Sequence, residues 1–379
     1  MRRLAEAELA GWDERVAANP DGGNVLQLRA FGEFKREHGW RPEYVLHEVG
    51  SDGAAATAAD RRREIAVLYQ VRSVPGFGEL WYAPKGPGVA TVEQLRAVLA
   101  DFVAPRAFLL KVEPELAAEP APPAPPEPAP PAPPTPPAPP ASLIAQLTAI
   151  GLRKAKFDLQ MNRSTVVVDL CPDENDIINS FKQKTRYNIR LAERKGVTVE
   201  AVELTPANED KMIDLLRATQ ARGGFFMRDE AYVKGLWRRY AAAGQGQLFF
   251  AAFEGQTLAG AFVLHAGAKA LYKDGGSIRE HTDLQPPYAL QWAIMRWLKA
   301  RGVTAYDLHG TPSAAAIDDP KQPLAGLAKF KTGFNPDHVI DYPGVYDYPV
   351  RNIRYSIWNF IGERLITAYQ LRVGHQLFY

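Results

Sequence analysis

The stretch Ser180-Phe-Lys-Gln-Lys-Thr-Arg-Tyr-Asn-Ile-Arg-Leu-Ala-Glu-Arg-Lys-Gly196 decides how this chain is read. Arg186, Arg190 and Arg194 recur at every fourth position, so a helix lines their guanidinium groups along one stripe. Phe181, Ile189 and Leu191 sit off that stripe, and Gly196 is placed to stop the helix. Lys182, Lys184 and Lys195 add to the charge, opposed by Glu193 alone. A ridge of this kind is either a solvated helix face or a surface for a phosphate-bearing partner. The residues by themselves leave both readings open.

The ridge is a local feature. The chain has 379 residues and a net charge of only +2, with 46% hydrophobic residues, which gives room for two domains with separate cores. The single cysteine, Cys171, excludes an intrachain disulfide and a cysteine-based zinc site and fits a reducing cytosol. No apolar run reaches membrane-spanning length, and the first residues lack a signal-peptide core, so any membrane contact is expected to be peripheral. The seven histidines show no metal-ligand spacing, and no metal is expected.

Residues 120–140 hold 14 of the 31 prolines. Their Ala-Pro-Pro units favour polyproline II, with a contour of about 65 Å at roughly 3.1 Å per residue. Such a segment cannot enter a packed core. It reads as a disordered, exposed insertion over 117–142, or as a ligand for an aromatic groove. Strand-like runs on both sides, Ala107–Glu113 and Thr165–Leu170, place it inside the first domain.

Without the tract, the two halves carry the same order of elements. The first gives a helix over Leu26–His38, strands over Tyr44–Val49, Glu64–Ser73 and Leu80–Pro84, and the loop Lys85-Gly-Pro-Gly-Val89. A helix over Val92–Phe102 and a strand over Ala107–Glu113 complete it. The second gives helices over Asn208–Arg222 and Asp229–Ala243, strands over Gln247–Phe253, Leu258–His265 and Ala270–Asp274, and a loop at Gly275-Gly276. A helix from Pro287 to Arg301 and a strand over Thr304–His309 follow. This recurrence is similar to a duplicated acyl-CoA N-acetyltransferase-like (GNAT-like) unit. The expected fold class is α+β, with two tandem GNAT-like lobes of mixed, mainly antiparallel sheets and no coiled-coil insertion. The expected bounds are 1–170 and 171–343, with 344–379 packing back on the first lobe. Each copy's last strand ends in a carboxylate, Glu113 or Asp307, that can take a proton from an amine or cap the next segment.

Pieces along the whole chain except the proline tract resemble the Fem family of non-ribosomal peptidyltransferases of bacterial cell-wall synthesis. They include Asn24–Trp40, Tyr82-Ala-Pro-Lys-Gly-Pro87, Lys184–Gly196, Tyr272-Lys-Asp-Gly-Gly-Ser277, Tyr288-Ala-Leu-Gln-Trp292 and Tyr306-Asp307 with Gly310. Gly326-Leu-Ala-Lys-Phe-Lys-Thr-Gly-Phe334 ends the series. Gly196 runs directly into strand and helix, which resembles the FemX-like members without a coiled-coil arm.

The resemblance implies transfer of an amino acid from aminoacyl-tRNA to the stem-peptide amine of a peptidoglycan precursor. The acceptor is UDP-MurNAc-pentapeptide or lipid II, and the enzyme is a cytoplasmic monomer without cofactor, working near the inner membrane surface. It implies catalytic roles for Lys331 and for Glu113 as base. Lys35 and Arg222 match phosphate contacts, and Phe226, Tyr272, Asp274, Phe330 and Phe108 fall in the substrate cleft. The ridge of Lys182, Lys184, Arg186, Arg190 and Arg194 then meets tRNA. Without the resemblance, Lys331 reads as a snorkelling surface lysine. Rival functions are an acetyl-CoA-dependent N-acetyltransferase, transfer from aminoacyl-tRNA to a peptide natural product, and a non-catalytic RNA-binding protein. The acetyl-CoA reading lacks an Arg/Gln-x-x-Gly-x-Gly/Ala run to cradle pyrophosphate.

Overall fold

The computed structural model of the chain describes residues 1–50, 62–117, 142–160, 163–223, 228–322, 324–336 and 338–366. The proline tract and Phe226 lie outside the described residues.

Two seven-stranded sheets form the frame. The first contains β1 (Arg2–Arg3), β2 (Arg41–Gly50), β3 (Arg62–Val74), β4 (Gly78–Ala83), β5 (Ala107–Val112) and β6 (Arg153–Lys154). The second contains β7 (Ser164–Asp169), β8 (Thr198–Val202), β9 (Gly246–Phe253), β10 (Gln256–Ala266), β11 (Lys269–Ser277), β12 (Ala305–Asp307) and β13 (Val339–Asp341). The chain then returns to the first sheet as β14 (Tyr346–Pro349), between β5 and β6. Helices α1 (Trp12–Ala17), α2 (Arg29–Glu37), α3 (Val92–Asp101) and α4 (Leu143–Ala149) accompany the first sheet. With the second come α5 (Glu174–Ser180), α6 (Gln183–Arg194), α7 (Pro206–Gly223), α8 (Glu230–Ala242), α9 (Pro286–Lys299) and α10 (Ala325–Lys331). Last comes α11 (Asn352–Ile357), continued by a π turn over Trp358–Gly362.

The duplication is visible in the pairing. β2, β3 and β4 form an antiparallel run, α3 crosses over, and β5 pairs with β4 in parallel. β9, β10 and β11 repeat this, α9 crosses, and β12 pairs with β11 in parallel. Each crossover helix has a clear start. Thr91 caps α3 by accepting the Gln94 N–H, and Pro286 and Pro287 occupy the first turn of α9. Val92, Leu95, Val98 and Leu99 then face the first core at helical spacing.

Two expectations are corrected. The strand over Thr165–Leu170 belongs to the second sheet, where β7 lies between β12 and β13. Val166, Val168 and Leu170 fill the core of Tyr306 and Leu308, and the first sheet is completed by β6 and β14 instead. The proline tract still lies between β5 and β6, two strands of the first sheet. Gly275 and Gly276 form no loop, because both are paired within β11, opposite Ala261 and Gly260. A Cβ at Gly276 would lie 2.5 Å from the backbone of Leu215, so glycine is what lets α7 lie directly on the strand.

The two units share a core. Phe31, Phe34 and Leu68 from the first pack with Met212, Trp237 and Phe262 from the second. Phe34 meets Tyr232 of α8 edge-on at 4.7 Å between ring centres, and the Tyr240 hydroxyl donates to the Val25 carbonyl at 2.7 Å. Side chains on facing rims of the two sheets are therefore held at fixed separation. Among the described residues no helix is long and apolar enough to cross a membrane.

Candidate active site between the two sheets

Lys331 ends α10 and is 5% exposed. Its ammonium donates to the main-chain carbonyls of His309 and, at 2.8 Å, Gly310, just beyond β12. Among the described residues two of its three N–H donors are thus used, and one remains. Burial pulls its pKa down from 10.5 to about 8, with the charge of Asp307 partly opposing that fall. Asp307 accepts from the Thr165 hydroxyl and, at 2.6 Å, from the His309 N–H. Burial raises the Asp307 pKa, partly offset by the Thr165 hydrogen bond. His309 has φ +58°, a strained value for a side-chain-bearing residue. Burial, together with Lys273, Lys331 and Lys85, holds its imidazole well below the usual range, so the ring is neutral near pH 7.

The first sheet faces this turn with a second set of charges. Lys85 follows β4 with φ +48° and is 1% exposed. Its ammonium lies 3.4 Å from Glu113 and 4.0 Å from Glu115. Although burial works against the ammonium, Glu113, Glu115 and Asp307 raise the Lys85 pKa overall, which keeps it charged. Glu113, 2% exposed, accepts from the Tyr82 hydroxyl at 2.8 Å. Burial raises its pKa, against the opposing pull of Lys85. Both Glu113 oxygens are engaged, so this carboxylate fixes Lys85 and Tyr82 in place.

A third group lies beside the shared core. Lys35, on α2, is 7% exposed, with its ammonium 5.6 Å from the Trp40 ring and 5.9 Å from the Tyr232 ring. No carboxylate lies within ion-pair distance of it among the described residues. Burial, then Arg228 and Arg72, depresses its pKa to about 7. A buried cation whose charged neighbours are also cations is a site built for an anion. Gln70 on β3 is 0% exposed, and among the described residues neither its amide nitrogen nor its oxygen has a partner. It is paired across strands with Tyr82, so the two side chains share one sheet face. Arg228 joins the groups, since its charge reaches both Lys35 and the Tyr82 hydroxyl.

The expected residues distribute unevenly. Lys331 and Glu113 sit on facing rims linked through Lys85 and Asp307. The charged neighbours of Lys35 are Arg228 and Arg72. Arg222 instead donates to the Ser277 carbonyl at 2.6 Å and the Ser277 hydroxyl at 3.1 Å, with Arg279 as its charged neighbour. Asp274 accepts from the Trp237 indole at 2.8 Å, and Lys273 lies 3.3 Å from it. Tyr272 packs beside the second core, where a Cβ at Gly275 would strike its hydroxyl. Phe330 forms an aromatic wall with Tyr288 and Phe334.

Phe108 is corrected from cleft to core. It is 0% exposed and packs between Phe77 and Trp358 at 5.5 Å from each. Phe108→Ala is expected to cost about 3–5 kcal/mol of stability through the cavity it leaves. Urea unfolding measures that cost, and the kinetics of the folded fraction should stay unchanged.

The ridge adjoins the Lys331 turn. The Lys182 N–H donates to the Gly333 carbonyl at 2.9 Å, and a Cβ at Gly333 would lie 2.3 Å from the Thr185 hydroxyl. On α6, Thr185, Asn188, Ile189 and Ala192 are buried, leaving Lys184, Tyr187, Arg190 and Arg194 exposed. Arg186 departs from the stripe because its guanidinium donates to the Asn179 and Phe181 carbonyls. Lys85, Arg228, Gln70 and His309 were not singled out from sequence. The signals available were a lysine inside the Tyr82–Pro87 loop and an arginine four positions before Tyr232.

Comparison with known proteins supplies the context. Residues 179–318 match the model of the acetyltransferase (GNAT) domain family. The chain is 22% identical over 443 aligned positions to lipid II:glycine glycyltransferase of Staphylococcus aureus (strain MRSA252), covering 96% of this chain and 97% of that protein. The same enzyme from strain USA300 is 21% identical with the same coverage. Among solved structures, the crystal structure of FemX superposes with a TM-score of 0.71 at 20% identity, covering 95% of this chain and all of that one. That likeness establishes the tandem fold.

Proposed function

We infer that this chain, which belongs to the Fem family by full-length similarity and shared fold, aminoacylates the stem-peptide amine of a peptidoglycan precursor from aminoacyl-tRNA. The observation that carries this reading is the line of polar and charged groups from Lys35 through Arg228, Tyr82 and Lys85 to Asp307 and Lys331. It ties an anion pocket on one sheet to a polarising ammonium on the other. The precursor's phosphates suit the pocket of Lys35 and Arg228. The unpartnered Gln70 amide suits a peptide group of the stem. The tRNA acceptor end enters from the side of α6, whose base touches the Lys331 turn.

The reaction forms a C–N bond and breaks the ester C–O bond to the ribose. Lys331, fixed by two carbonyls, aims its remaining N–H at the developing oxyanion or ribose oxygen. With a pKa of about 8 it can give a proton to the departing ribose oxygen and take one from the attacking amine. Glu113 acts by positioning Lys85 and Tyr82. The Phe330, Tyr288 and Phe334 wall keeps water from the ester.

Incubation with a pool of charged tRNAs and UDP-MurNAc-pentapeptide, read by product mass, tests the reading. A gain of one amino-acid residue supports it. Product formed only from acetyl-CoA, or no product with either nucleotide-linked or lipid-linked acceptor, overturns it.

The ridge makes a separate prediction. Arg190→Glu with Arg194→Glu should weaken tRNA-dependent transfer and flatten its dependence on salt. Each lost phosphate contact removes about 0.7–0.9 from the slope of log affinity against log salt. A double variant with the wild-type slope takes tRNA off this helix.

A further inference from the structure

We propose that the outward face of the C-terminal helix is a docking surface for an anionic lipid bilayer. From Val350 to Leu365 six large apolar side chains are exposed, including Ile353 at 80% and Phe360 at 81%. Ile357, Ile361 and Leu365 complete one face at spacings of three and four residues. The opposite face is anchored firmly. Tyr355 and Trp358 are buried against the first sheet, and Glu363 lies 3.1 Å from Lys111, itself paired with Asp347 at 2.9 Å. The apolar face is therefore held outward by its own anchor, since turning it inward would strand Glu363 and Lys111 without each other.

Adjacent surface extends the patch. Lys156 donates to the Asn359 carbonyl, and its neighbour Phe157 is also exposed. The surrounding charge selects the occupant. Lys156, Arg351, Arg354 and Arg364 surround the patch, and among the described residues none of them has a carboxylate within ion-pair distance. Among the described residues Arg351 and Arg354 donate to the Pro105 and Phe77 carbonyls. Glu363, the single acid between residues 350 and 366, is buried. An apolar stripe bordered by uncompensated cations suits a negatively charged headgroup layer with its acyl boundary. This surface lies on the same unit as the Lys35 pocket, so docking there favours a lipid-linked acceptor. That consequence rests on the proposed function, whereas the binding itself does not.

The test is co-sedimentation of the full chain with vesicles of phosphatidylglycerol and phosphatidylethanolamine, beside vesicles of phosphatidylcholine alone. The wild type is expected to pellet with the anionic vesicles and to be released by high salt. Ile353→Glu with Phe360→Glu should reduce partition about tenfold or more. Because both side chains are solvent-exposed, circular dichroism and activity on a soluble acceptor should be unchanged. Three results overturn the proposal: wild-type protein left in the supernatant, binding that the double variant retains, or equal binding to phosphatidylcholine. Self-association of the wild type that the double variant abolishes would assign the surface to a second copy, and also overturn it.

Discussion

Lys331→Met is expected to lower the turnover rate for transfer by about 10²–10³-fold while leaving the KM of the precursor near the wild-type value. The magnitude is that of removing one pre-aimed donor from a developing oxyanion. The side chain does not reach the Lys35 pocket, and its two visible bonds go to the carbonyls of His309 and Gly310, so ground-state binding has little to lose. Lys331→Arg restores charge but not the compact geometry, and should recover only part of the rate. The pH profile distinguishes this role from a structural one. The ammonium is the active form, present below a pKa of about 8, so the wild-type rate should fall as pH rises through that value. Lys331→Arg should lose this descending limb, since a guanidinium stays charged throughout. Single-turnover rates across pH make the measurement. A variant that raises KM with turnover intact would instead make Lys331 a binding residue.

Much of this arrangement is legible in the sequence, for reasons that differ by element. Helix α6 follows from spacing, with Thr185, Asn188, Ile189 and Ala192 facing inward and the basic residues outward. The repeated order of strands and crossover helix follows from period and from turn residues such as Thr91 and Pro287. Strand membership does not. Val166 and Val168 announce a strand, but which sheet takes it depends on pairing with Val339 and Tyr306, more than a hundred residues away. Gly275 and Gly276 look like a loop because the close approach of α7, which demands them, is a tertiary fact. Arg186 fits the stripe by spacing, yet two nearby carbonyls capture it. Phe108 shares a strand with residues of the site rim, and only the returning Trp358 identifies its face as interior. The approach of Arg228 to Lys35 is a matter of how the segment leading into α8 meets α2, which no local pattern encodes.

Lys35→Met should raise the acceptor's KM about 10²-fold, leave turnover at saturation nearly intact, and make the unliganded protein more stable. The first two effects follow from losing a charge-assisted contact to a phosphate that is remote from the reacting bond. The third follows from the surroundings of Lys35 in the unliganded protein. Lys35 is buried against Trp40 and Tyr232 with Arg228 and Arg72 as charged neighbours, and its pKa falls from 10.5 in the open chain to about 7. Between those values the unfolded chain binds more protons than the folded one, so this group makes stability rise with pH. Its cost to folding, on the order of a few kcal/mol, is fully present below pH 7 and disappears towards pH 10.5. Methionine fills the same space without charge. The variant's advantage in thermal unfolding should therefore be largest at pH 6–7 and shrink as pH rises. Acceptor affinity runs the other way in the wild type. A phosphate binds the ammonium form, so affinity should decline above pH 7 as Lys35 of the unliganded protein loses its proton, and Lys35→Met should flatten that decline. Calorimetric titration with UDP-MurNAc-pentapeptide at several pH values, beside unfolding curves of the unliganded proteins, reads both trends. A variant less stable than wild type at pH 6.5, with unchanged acceptor affinity, would return Lys35 to the core as a packing residue.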